Sequence, residues 1–84
     1  MHRITIEFPP SDDIGYIHRV RNFAEDLFRQ IELTGEGTVR DVDRVTDRLE
    51  VRIRKSQQLG HGLDVIRREL DRHHLAADAT IRRA

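Results

Sequence analysis

The chain has 84 residues, of which 36% are charged and 37% hydrophobic, and its 15 basic and 15 acidic residues give a formal net charge of zero. We expect one domain spanning residues 1–84. The apolar runs of the sequence are too short to form a helix that crosses a membrane. The absence of cysteine excludes disulfides, thiolate zinc sites, iron–sulfur clusters and cysteine nucleophiles. The first residues form no apolar signal region, so we expect a cytoplasmic protein.

The charges are distributed unevenly along the chain. Residues 1–47 contain six arginines and ten acids, whereas residues 48–84 contain eight arginines, Lys55 and five acids. One interpretation is that the two halves neutralise each other within the fold. The other is that a guanidinium-rich surface binds anions or carboxylates.

The first half of the chain predicts one strand followed by one helix. Residues 3–8 alternate between apolar and polar side chains, which is typical of a half-buried strand. Helix-starting residues follow, and apolar residues then recur at spacings of three and four, which predicts an amphipathic helix over residues 13–32. We expect the aromatic side chains to lie in the core. They are Phe8, Tyr16, Phe23 and Phe28.

The next segment predicts a β-hairpin. Residues 38–46, in which valines recur every three residues, predict a strand with a β-bulge near Asp41–Asp43. Residues 48–54 alternate without interruption and predict the second strand. Thr46-Asp47 is the expected turn between them.

The remainder predicts a loop, a second helix and a last strand. Residues 55–62 are polar and include Gly60 and Gly62, which indicates a loop. A helical stripe continues from residue 63 to about residue 75, and residues 79–82 predict a short strand.

The resulting element order, β-α-β-β-α-β, predicts a fold class. We expect an α+β, ferredoxin-like two-layer sandwich, in which two helices cover one face of a four-stranded antiparallel sheet. The other face of the sheet is then open to a partner.

The open sheet face is the main candidate binding surface. Its charged residues are Arg3, Glu7, Arg48, Glu50, Arg52, Arg54 and Arg82. These residues could bind the phosphate backbone of a nucleic acid. Alternatively, they form cross-strand ion pairs with one another. The topology resembles the RNA-recognition fold, whose sheet carries stacking aromatics. Here Thr5, Arg52 and Arg54 occupy the corresponding positions, which disfavours binding of single-stranded RNA by stacking.

The segment Phe-Pro-Pro-Ser-Asp-Asp-Ile-Gly at residues 8–15 leads into the first helix. Its Asp12 and Gly15 resemble the Asp-x-x-Gly loop of ACT-type regulatory domains, which share the β-α-β-β-α-β order. The resemblance implies a small-effector loop formed by Asp12, Asp13 and Gly15. The alternative is a helix cap followed by a tight first turn.

The histidines do not predict a metal site. His73 and His74 are adjacent and project about 100° apart on a helix, so they cannot share a metal as an i, i+4 pair does. His61 is expected in the loop, with Asp64 and Asp71 as the nearest candidate carboxylates. We expect no metal; if one bound, the three histidines His61, His73 and His74 would be the first candidate ligands.

No pattern in the sequence indicates catalysis. The chain lacks the nucleophile-elbow, phosphate-loop and dinucleotide-binding glycine patterns. We therefore expect no cofactor, no membrane association and a non-catalytic interaction or regulatory module that forms a homodimer. The alternatives are a nucleic-acid-binding module that uses the arginine-rich sheet face and an ACT-like module that binds a small effector.

Overall fold

The computed structural model describes residues 2–43 and 48–83 and confirms the predicted element order. The strands are β1, His2–Glu7; β2, Gly37–Asp43; β3, Arg48–Ile53; and β4, Thr80–Arg83. The helices are α1, Ile14–Ile31, and α2, Leu59–Arg72, which a 3-10 helix at Ser56–Gln58 precedes. The predicted turn at Thr46-Asp47 lies outside the described residues.

The four strands form one antiparallel sheet in the order β2-β3-β1-β4, which confirms the ferredoxin-like sandwich. Ile4 of β1 lies opposite Val51 of β3, so apolar residues of the two central strands share one face. The pairing of β2 with β3 changes register between Asp41 and Asp43. The predicted β-bulge is therefore confirmed.

The core lies between the helices and the inner face of the sheet. Alternate residues of β1 and β3 are buried, as a period of two requires when one face is covered. The fully buried side chains include Ile4, Ile6, Val51, Ile53, Phe23, Leu27, Ile31, Ile66 and Leu75. In the described part of the chain, no helix is long and apolar enough to cross a membrane.

The prediction that all four aromatic side chains lie in the core is wrong for Phe28, which is 46% exposed. The core-facing stripe of α1 includes Phe23, Leu27 and Ile31. Phe28 follows Leu27 by one position, which turns its side chain about 100° away from that stripe. It therefore lies at the side of the helix.

The predicted loop at residues 55–62 is wrong for its second half, because α2 already begins at Leu59, and a 3-10 helix occupies Ser56–Gln58 in its first half. Gly62 is buried beside Ile53, and a Cβ atom there would lie 2.9 Å from the Ile53 Cδ1 atom. The glycine therefore permits close packing of α2 against β3. It does not mark a loop.

The C-terminus of α2 also differs from the prediction, since the helix ends at Arg72 and not near residue 75. His73 is the C-cap and His74 adopts a left-handed conformation with φ of 58°. The Leu75 amide donates to the Leu70 carbonyl, which is the hydrogen bond of a Schellman motif. Left-handed backbone at His74 stops the helix there.

Candidate functional site

The predicted open sheet face brings its charged residues together. Glu50 forms ion pairs with two arginines, since its Oε1 lies 3.0 Å from the Arg3 Nε and 3.5 Å from the Arg52 Nε. Its side chain is largely covered between them. At the other edge, the Arg82 Nε lies 3.9 Å from the Glu7 Oε1. The face therefore contains the cross-strand ion pairs that the sequence suggested.

The same face keeps an excess of positive charge. Arg48 lies opposite Glu7, and Arg54 is exposed one residue beyond β3. Arg40 of β2 lies opposite Glu50 and is exposed. Sequence reasoning missed Arg40, because the expected bulge left the orientation of β2 undefined. With Arg40 included, the described strands and their ends place six arginines and two glutamates on this face: Arg3, Arg40, Arg48, Arg52, Arg54 and Arg82, with Glu7 and Glu50.

The residues of the predicted effector loop are adjacent, and one of them caps α1. The Asp13 Oδ1 accepts from the Gly15 amide at 2.8 Å and from the Tyr16 amide at 3.3 Å. Ser11 in turn accepts from the Asp13 amide through its Oγ. Asp12 is exposed beside them. The Asp13 carboxylate thus satisfies the free amides of the helix N-terminus.

An apolar groove of about 490 Å³ lies between α1 and β2, and we call it the α1/β2 groove. Its lining residues are Ala24, Glu25, Phe28, Arg29, Leu33, Val39 and Leu49. Phe28 is 46% exposed and Leu33 is 73% exposed. Sequence reasoning missed this groove because it assigned Phe28 to the core. The available signal was the position of Phe28, directly after the core residue Leu27.

A charged cluster joins α1 to α2. The His73 Nε2 lies 2.8 Å from the Asp26 Oδ2 and 3.6 Å from the Glu69 Oε2. Arg72 contacts both carboxylates, Asp26 through Nη2 and Glu69 through Nε at 3.3 Å. The hydrogen bond with His73 holds the pKa of Asp26 below its ordinary value, and Arg72 adds to this effect while burial opposes it. Sequence reasoning singled out neither carboxylate.

The three histidines named above as the first candidate metal ligands have separate environments. His61 lies in the first turn of α2, not in a loop, and its Nδ1 is 2.8 Å from the Oε1 of the buried Glu36. His73 contacts Asp26, and His74 is exposed. His61 therefore belongs to a carboxylate pair that ties α2 to the residue before β2.

Comparison with known proteins gives no family for this arrangement. A scan against protein-family models and searches of curated proteins and of solved structures return no match to the chain. What the chain does must therefore be argued from the contacts, burial and charges of its own residues.

Proposed function

We propose that the chain is a non-catalytic interaction module that works as a homodimer, with the α1/β2 groove and the outer edge of β2 as its interface. The exposure of two large apolar side chains, Phe28 and Leu33, at one groove carries this proposal. Contiguous exposed apolar surface marks interaction sites in soluble proteins. A second copy of the chain would remove this surface from water.

The charges on the rim of the groove favour a second copy as its occupant. Glu25 and Arg29 line the groove and lie one helical turn apart on α1. In a two-fold symmetric contact, the same patch of both copies meets itself. Glu25 of one copy can then lie beside Arg29 of the other, and the reverse pair forms at the same time. The groove is therefore complementary to itself in charge.

The two edges of the sheet differ in a way that selects β2 for pairing. The β4 edge has four residues and carries Arg82 and Arg83, and short charged edges resist the addition of a strand. The β2 edge has seven residues and pairs regularly with β3 over residues 37–41, where its two charges, Arg40 and Asp41, are of opposite sign. Val39 of β2 also lines the groove, so the edge and the groove are continuous. Two β2 strands that pair across a two-fold axis would bury both.

Sedimentation equilibrium at tens of micromolar protein tests the dimer. We expect a mass twice the 9.9 kDa of the chain. The double variant Phe28→Ser, Leu33→Ser is expected to sediment as a monomer, because it removes the apolar contact. Ile14→Ser is the matched control, since Ile14 is an apolar α1 residue with 70% exposure that does not line the groove.

The expected control result is an unchanged dimer with Ile14→Ser. Circular dichroism of each variant establishes that it is folded. A wild-type protein that sediments at 9.9 kDa throughout would overturn the proposal. Equal dissociation by Ile14→Ser would show that the groove is not the interface.

The charge of the open sheet face favours a second candidate function, the binding of nucleic acid. Contacts with about three phosphates give a log–log salt slope of roughly −3. None of the outward residues on the described strands is aromatic, which removes a stacking contribution of about 1–3 kcal/mol per base. Any such binding is therefore expected to be weak and not sequence-specific.

Fluorescence anisotropy with labelled RNA and DNA separates this candidate from the first. The test variant is Arg52→Ala with Arg54→Ala, and the matched control is Arg67→Ala with Arg68→Ala on the exposed side of α2. Sub-micromolar, salt-sensitive binding that the test variant alone loses would support a nucleic-acid module. Absence of binding at physiological salt would exclude it.

A further inference from the structure

The cluster between α1 and α2 has the composition and spacing of a metal site. Asp26, Glu69 and His73 each offer one ligand atom, and these atoms lie within 4.8 Å of one another. His73, the C-cap of α2, follows Glu69 by four residues, a spacing that places both on one face of a helix. Ligand atoms on a tetrahedral zinc ion at about 2.1 Å lie roughly 3.4 Å apart. The distances of 2.8 and 3.6 Å from His73 Nε2 to the two carboxylate oxygens bracket that value.

Glu69 supplies a second, independent observation. It is 6% exposed, and its Oε2 atom is buried without a hydrogen-bond partner. This is the same oxygen that faces the His73 ring and the Arg72 Nε. A buried carboxylate oxygen without a hydrogen bond is costly, and in the metal-free cluster its cationic partner is the Arg72 guanidinium at 3.3 Å. A metal ion bound directly to this oxygen would compensate for the cost more fully.

We propose that Asp26, Glu69 and His73 bind a divalent transition-metal ion such as Zn²⁺ between α1 and α2. Two carboxylates and one imidazole suit such an ion, and the remaining coordination positions would be filled by water. Phe23 packs its ring edge-to-face with the His73 ring at 6.2 Å, which helps to hold the imidazole in place. This proposal differs from the expectation of no metal. That expectation was based on the spacing of the histidines and did not include Asp26 of α1.

Arg72 is the main competing cation in the metal-free cluster, and Arg29 lies 3.8 Å from the other oxygen of Asp26. Its guanidinium contacts both carboxylates, yet its side chain is 60% exposed and can move into solvent. Metal binding must displace it. Arg72→Ala is therefore expected to tighten metal binding by about two- to fivefold, the range of a partly exposed ion pair.

Calorimetric titration of the untagged, chelator-treated chain with Zn²⁺ tests the site, and titration with Co²⁺ adds a visible absorption band. We expect one ion per chain, and loss of binding in His73→Gln and in Asp26→Asn. His74→Gln is the matched control, because His74 is adjacent but exposed, and it is expected to bind normally. Circular dichroism establishes that each variant is folded, and Asp26→Asn tests the site if His73→Gln does not fold.

Two outcomes would overturn the proposal. One is the absence of stoichiometric Zn²⁺ and Co²⁺ binding even in Arg72→Ala, which removes the guanidinium that contacts both carboxylates. The other is stoichiometric binding that survives both His73→Gln and Asp26→Asn in folded protein, whatever the result for His74→Gln. Either result would leave the cluster as an ion-pair network between the helices.

Discussion

Alanine at Gly37 is expected to destabilise the fold by about 2–3 kcal/mol, the upper part of the range for overpacking. A Cβ atom at this position would lie 1.9 Å from the backbone oxygen of Arg52 and 2.9 Å from its carbonyl carbon. The obstacle is the backbone of β3, which cannot rotate away as a side chain can. The first residue of β2 must therefore move away from β3, and nearby pairing is lost.

The same substitution at Gly60 is the matched control, since it adds the same methyl group where nothing lies within 4 Å. Gly60 is in the first turn of α2, so alanine is expected to stabilise the chain by up to about 0.5–1 kcal/mol. Urea unfolding followed by circular dichroism measures both. For a domain of this size, 1 kcal/mol corresponds to roughly 4–8 °C in Tm, so Gly37→Ala should lower Tm by roughly 8–24 °C.

The two variants test different parts of the fold. Unchanged stability in Gly37→Ala would show that β2 does not approach β3 as described. A loss of stability in Gly60→Ala would contradict a helix that begins at Leu59. The second result would restore the loop that the sequence alone predicts.

Three further substitutions have defined expectations in urea unfolding. Asp13→Ala removes the α1 cap and should cost about 0.5–2 kcal/mol, whereas Asp12→Ala should cost little; equal effects would contradict the cap. His74→Gly relieves a left-handed backbone and should stabilise the chain by about 0.5–1 kcal/mol, and a loss would contradict the helix end described for α2. Phe23→Ala empties a fully buried site and should cost about 3–5 kcal/mol, so a cost below 1 kcal/mol would place Phe23 outside the core.

The sheet and α1 could be predicted because one buried face imposes a period on each element. In β1 and β3 every second residue is buried, and the sequence alternates accordingly. The same reasoning located the outward arginines of β3. The same reasoning could not assign the outward residues of β2, because the bulge between Asp41 and Asp43 interrupts the alternation.

The start of α2 could not be predicted from local signals. Gly60 and Gly62 are typical of a loop, yet both lie in the helix. A glycine is needed at position 62 because the helix lies close to the Ile53 side chain. That closeness arises only when α2 packs against β3. Asp26 and His73 are likewise 47 residues apart in the chain and become neighbours through helix packing. The spacing of residues along one helix does not indicate which residues of another helix will lie beside it.

The opposite charges of the two halves have a structural counterpart. Acids of the first half pair with arginines of the second half in Asp26–Arg72 and Glu7–Arg82. This favours the interpretation of mutual neutralisation for these residues. The Glu7–Arg82 pair is long and exposed, so it contributes little. The Asp26 cluster, which His73 and Arg72 share, is the best placed to stabilise the fold.

Asp26 should therefore contribute to the acid sensitivity of the metal-free protein. Because His73 and Arg72 lower its pKa in the folded state, the unfolded chain binds a proton that the folded chain excludes. The resulting stabilisation is complete above the ordinary carboxyl pKa and is lost as pH falls through the lowered one. In chelator, the free energy of unfolding of Asp26→Asn should decline less than that of the wild type between about pH 5 and about pH 2. Asp71→Asn, at an exposed α2 position, is the control and should follow the wild type. Identical acid curves for Asp26→Asn and the wild type would show that the cluster does not stabilise the fold through Asp26.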